Sequence, residues 1–219
     1  MSAVLVPATT RSSGWRALAV LGAALIGGAC DRPAAVAGGG SSLAVTADSP
    51  WRGDPLGEFE LVATSGERTR RSDLLGRPAI LDFIFTTCAG PCPVLSANMA
   101  RLQADLAGTE VRLVSVTVDP EIDDAETLGA YAKRYGADPR RWLFLTGEEA
   151  QIQHLMASVH LARERAAPGQ AAPGFQVEHA TRLVVVDREG VVAGYYPGET
   201  EEGRLAALAR ARFLDRQGP

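Results

Sequence analysis

The sequence has little of what would commit it to a nucleic acid or carry it through a membrane. It has 22 lysines and arginines against 26 aspartates and glutamates, a formal charge of −4. That balance supplies no basic stripe of the kind a phosphate backbone needs. The uncharged run from Ala17 to Ala29 is only 13 residues, where a membrane-crossing helix needs about 20. No internal repeat is visible, which sets aside solenoids and arrays. Cysteines and histidines number three each, so thiol or imidazole chemistry rests on very few positions. What remains, 219 residues with 46% hydrophobic and 22% charged, fits one globular domain of about 150 residues plus sequence at an end.

The extra sequence lies at the start. Arg11 and Arg16 precede the apolar run, as in a signal peptide covering residues 1–29. Gly27, Gly28 and Ala29 lead into Cys30, which resembles a lipoprotein cleavage site where the cysteine is lipidated. Gly27 departs from that motif, which usually carries Leu there. Plain secretion and an uncleaved anchor are the alternatives, and Asp31 resembles an inner-membrane retention signal. Residues 30–50 are small and without amphipathic period and read as a flexible linker. The folded domain is expected over 51–219, exported and tethered on the periplasmic face of the inner membrane, where a disulfide can persist.

Within the domain, Leu56–Val62 and the turn at Thr64-Ser65-Gly66 suggest an N-terminal hairpin extension. Pro78–Phe85 is nearly all apolar, the pattern of a central strand covered on both faces, and it runs directly into Thr86-Thr87-Cys88. Val94, Leu95, Met99, Leu102 and Leu106 then mark an amphipathic helix. Val111–Val118 reads as a second strand, and Ile122 to Tyr135 as a helix stopped by Gly136. Trp142–Leu145 is a third short strand. Thr146 reads as the N-cap of a helix, with Glu149 completing a capping box. Residues 163–177 read as a loop. Two strands around Asp187-Arg188-Glu189-Gly190 and a helix from Glu201 to about Leu214 close the chain. The order β-α-β-α-β-α-β-β-α implies an α/β fold, a central mixed sheet flanked by helices.

Cys88-Ala-Gly-Pro-Cys92 sits where the first central strand hands over to a helix. Thiols at a helix N-terminus favour the thiolate, which suits either metal ligation or redox exchange. Gly90 allows the bend, and Pro91 or Pro93 suits the first helical position. A static disulfide is the plainer alternative.

Phe85-Thr-Thr-Cys-Ala-Gly-Pro-Cys-Pro93 resembles the F-T-x-C-x3-C-P signature of Sco/SenC proteins. Ser115-Val-Thr-Val-Asp-Pro120, Tyr131-Ala-Lys-Arg-Tyr135, Trp142-Leu-Phe-Leu-Thr-Gly147 and Val177-Glu-His-Ala-Thr181 resemble four further motifs of that family, in its order. The resemblance implies a thioredoxin-like fold and one copper ion held by Cys88, Cys92 and His179. It also implies delivery of that copper to the CuA centre of cytochrome c oxidase, with oxidase subunit II or another copper acceptor as partner. Soft thiolates select Cu(I), and an imidazole admits Cu(II). Zinc suits the same donors, but a structural zinc site wants a fourth ligand. His154 and His160 read as partly solvated helix side chains.

This sequence departs from the family where Ala89-Gly90 replaces Pro-Asp, and at Glu178, where Asp is usual. Asp119 reads as a turn starter before Pro120. Asp82, inside an apolar strand, reads either as structural or as a proton acceptor for the thiols. The competing function is a thiol-disulfide reductase attacking through Cys88 and resolving through Cys92. A peroxidase shares the fold, but usually places its resolving cysteine elsewhere.

Overall fold

The computed structural model describes residues 46–167 and 169–218. The signal-peptide and lipidation expectations for residues 1–30 lie outside the described residues. Among the latter, no helix is long and apolar enough to cross a membrane.

The Pro78–Phe85 run folds as β3 (Ala79–Ile84), every residue of which is buried. It lies between β4 (Arg112–Thr117), parallel to it, and β8 (Arg182–Val186), antiparallel to it. β5 (Trp142–Thr146) pairs parallel to β4, and β9 (Val192–Pro197) antiparallel to β8. The N-terminal hairpin of β1 (Glu60–Ala63) and β2 (Arg68–Arg70) extends the central sheet. β1 pairs antiparallel with β5, so the hairpin forms one edge of a seven-stranded sheet ordered β2-β1-β5-β4-β3-β8-β9. Arg71–Leu74 (α1) is a single helical turn.

Three of the longer helices follow the apolar periods. α2 (Cys92–Asp105) buries Leu95, Met99 and Leu102, three and four apart, on the face a core-packed helix buries. α3 spans Ala125–Arg134 and begins later than expected, because the Asp124 carboxylate accepts the Thr127 amide at 2.7 Å as its N-cap. Ile122 is therefore outside the helix and 52% exposed. Gly136 follows α3 at φ 66°, the left-handed stop its missing Cβ permits. α5 (Glu201–Arg216) packs against β8 and β9.

Two expectations need correction. Thr146 does not cap α4 (Glu149–Ser158). It is the last residue of β5, its hydroxyl is donated to the Asp123 carbonyl at 2.6 Å, and Glu148 takes the N-cap position. The stretch read as a loop contains β6 (Arg163–Arg165), paired antiparallel with β7 (Val177–His179) in a separate two-stranded sheet. This arm is fastened by charge: Arg163 reaches the Val118 carbonyl and Glu149, and Arg165 reaches Asp119 at 2.5 Å. Asp119, almost fully buried, is thus an anchor for the arm as well as the start of the turn after β4, its carbonyl accepting the Ile122 and Asp123 amides. The last linker residues are also held, since Arg210 on α5 donates to the carbonyls of Ala47 and Ser49 at 2.9 and 2.7 Å.

Candidate metal centre

β3 delivers its chain to the site through Phe85 and Thr86, and α2 begins at Cys92 with Pro91 as N-cap. Cys88 therefore lies in the loop, four residues before Cys92, instead of on the first helical turn. Its amide donates to the Phe85 carbonyl at 3.3 Å, and the next amide, of Ala89, donates to Gly174 of the arm at 3.0 Å. Gly174 is required here: it sits at φ +86°, and a Cβ would meet Ala89 Cβ at 2.5 Å. So the loop bearing the thiols and the arm bearing His179 are joined through backbone.

Cys92 is fully buried and Cys88 partly exposed, and both are free thiols. Cys88 and His179 line one cavity of about 720 Å3, together with Phe85, Pro91, Arg163 and Phe175. His179 Nε2 lies 3.6 Å from Cys92 Sγ, while Nδ1 lies 3.3 Å from the Ala180 carbonyl. A carbonyl only accepts, so Nδ1 carries the proton in that contact and the Nε2 lone pair faces the thiol. The edge of the Phe85 ring braces the imidazole, with centroids 5.8 Å apart. Burial lowers the imidazole's pKa, partly opposed by the Ala180 carbonyl, so the ring stays neutral and free to act as a ligand.

The helix N-terminus does not decide the Cys92 thiol. Burial pushes its pKa far up, the hydrogen-bonded Cys88 thiol adds to that, and only the Phe85 backbone opposes it. Desolvation of a buried thiolate favours the protonated thiol in the metal-free site. The three expected donors meet pairwise, Cys88 with Cys92 and Cys92 with His179. Among the described residues, no three His, Cys, Asp or Glu side chains surround a common point.

The other histidines are elsewhere. His154 lies on α4 beside Gly57, and the exposed His160, just past α4, contacts Asp54 at 2.8 Å. Asp82 is fully buried on β3, accepting from Ser115 Oγ at 2.5 Å, with its second oxygen lacking a partner. Sequence reasoning missed Asp123, whose carboxylate accepts the Thr86 amide at 3.0 Å and hydroxyl at 2.5 Å, two residues before Cys88. The signal available was a threonine at or just past the end of each parallel strand.

A family model described as SCO1/SenC matches residues 49–213. The SCO1 protein homolog of Bacillus subtilis (strain 168) is 31% identical over 152 residues, 66% of this chain and 77% of that protein. The chain spans about half the length of the vertebrate SCO2 homologues it matches, from zebrafish, mouse and human. A SCO1/SenC family lipoprotein from Bacillus anthracis superposes with a TM-score of 0.67 at 28% identity, covering 74% of this chain and 95% of that one. BsSco, a member of the Sco family of cytochrome c oxidase assembly proteins studied for a disulfide switch, superposes with a TM-score of 0.64 at 27% identity, covering 75% and 95%. Bradyrhizobium japonicum ScoI with copper bound shares the fold at a TM-score of 0.63 and 20% identity, covering 73% and 99%. By its family match, its sequence relatives and its thioredoxin-like fold, the chain belongs to the SCO1/SenC family.

Proposed function

We propose that this protein holds one copper ion through Cys88, Cys92 and His179 and passes it to an acceptor protein outside the cytosol. The acceptor the family suggests is the CuA centre of cytochrome c oxidase subunit II. The observation that carries the reading is the approach of His179 Nε2 to Cys92 Sγ at 3.6 Å, which adds an imidazole to a dithiol 87 residues away in sequence. Two thiolates suit Cu(I), the imidazole admits Cu(II), and a set of three protein donors leaves a position for an incoming ligand. Cys88 at the cavity is placed to exchange first, because Cys92 is sealed beneath it. We also propose that residues 1–29 are a signal peptide, that Cys30 is lipidated and that residues 30–50 tether the domain to the membrane.

Titration of the reduced protein with Cu(I) and Cu(II) tests this. One copper per chain with thiolate-to-Cu(II) charge-transfer absorption is expected, and His179→Ala should weaken Cu(II) by at least about tenfold. Unchanged Cu(II) binding in His179→Ala would exclude the imidazole.

One observation favours a second reading, thiol-disulfide reduction: Cys88 is accessible and Cys92 buried, the usual placement of attacking and resolving thiols. In that case Cys88→Ser abolishes reduction of a partner disulfide, while His179→Ala leaves it intact.

A further inference from the structure

The carboxyl ends of three adjacent parallel strands converge on Asp123. Thr117, the last residue of β4, donates its hydroxyl to Asp123 Oδ2 at 2.6 Å. Thr146, the last residue of β5, donates to the Asp123 carbonyl at 2.6 Å. Thr86, two residues past β3, gives both its donors, amide to Oδ2 at 3.0 Å and hydroxyl to Oδ1 at 2.5 Å. Asp123 is fully buried, and no cation among the described residues pairs with it. A buried carboxylate without a countercharge is costly unless hydrogen bonds hold it.

The two sides of this hub differ. Thr117 and Thr146 belong to strands already fixed by ladder bonds, so clipping them adds only stability. Thr86 lies beyond the ladder, and the Cys88 loop hangs from it through the Phe85 carbonyl and Cys88 amide. We propose that Asp123 is a positioning residue for the dithiol: by gripping Thr86 it sets the approach of Cys88 Sγ to Cys92 Sγ, and so the equilibrium between dithiol and disulfide. This rests on the reading of Cys88 and Cys92 as a working pair. With glutathione disulfide as oxidant, the two thiols lose two electrons and two protons and form one S–S bond, and two glutathione thiols are released. Disulfide geometry is narrow, so a small displacement of Cys88 moves that equilibrium.

The test is the equilibrium constant of the Cys88–Cys92 pair against glutathione in the full chain, read by mass after alkylation, which separates the internal disulfide from adducts at Cys30. Asp123→Asn turns one acceptor into a donor facing the Thr donors, and Thr86→Val removes the hydroxyl while leaving the hub in place. Each should shift the constant about tenfold towards the dithiol. Thr146→Val, which breaks the bond to the Asp123 backbone alone, should lower the unfolding midpoint and leave the constant within about twofold. Unchanged constants in both Asp123→Asn and Thr86→Val would overturn the proposal, as would an equal shift in Thr146→Val. If Asp123→Asn does not fold, Thr86→Val decides. A wild-type pair that never closes at any glutathione ratio would remove the pair itself, a different failure from unchanged constants in a pair that does close.

Discussion

Asp82→Asn should leave the protein little changed near pH 4 and make it markedly more stable than wild type near pH 8. Burial in β3 raises the Asp82 pKa from 3.8 to about 7, with the Ser115 hydroxyl opposing the shift. Between those two values the folded carboxyl keeps a proton that the unfolded chain has lost. The Asp82 contribution to wild-type stability therefore falls as pH rises from about 4 to about 7, and levels off above that. At about 1.4 kcal/mol per pH unit, the interval from 3.8 to about 7 costs the wild type about 4 kcal/mol. Asn has the same shape, cannot ionise, and keeps an oxygen for Ser115 Oγ, which in turn accepts from Trp142 Nε1 at 2.8 Å. Urea unfolding of the reduced, metal-free proteins at several pH values measures the difference. It should open steadily above about pH 4 and become constant above about pH 7. Two parallel stability profiles, or an Asn variant less stable at high pH, would refute the reasoning.

Gly174→Val should cost about 2 kcal/mol, because the positive φ and the approach of Ala89 leave no room for a side chain; amide exchange at Ala89 should accelerate, and equal exchange would count against the coupling of loop and arm. Arg210→Met should free the carbonyls of Ala47, Ser49 and Trp51, lower stability by about 2 kcal/mol, and speed limited proteolysis near residues 46–51. Alkylation of the reduced protein should reach Cys88 at least about tenfold faster than the buried Cys92. Comparable rates, followed by peptide mass, would show that Cys92 is not sealed.

The strand-to-helix junction at Cys88 and Cys92 could be read directly, because β3 announces itself by an unbroken apolar run and α2 by its period. Parts fastened by polar contacts could not. The β6–β7 arm buries only Val177 of its strand residues in the core and is otherwise held by Arg163 and Arg165 through charge, so its Ala, Pro and Gly composition suggested only a loop. Thr146 looked like an N-cap because the sequence does not show that Asp123 already occupies its hydroxyl. Asp123 itself is one of several acids between Asp119 and Asp124, and it becomes distinctive only when three strand ends, at residues 86, 117 and 146, meet beside it. His179 could be placed by family likeness alone, since no local pattern ties it to Cys92.

The contact between Cys92 and His179 spans 87 positions, and His179 lies just before β8, which pairs with β3 in the folded sheet. Long loops close slowly, and non-local pairings form late in folding. An incompletely folded chain therefore offers two thiols and no imidazole. If His179 completes the copper set, the number of donors becomes a readout of maturation. Nascent or damaged molecules would load weakly, and a high-affinity ligand set would be reserved for copies whose sheet is finished.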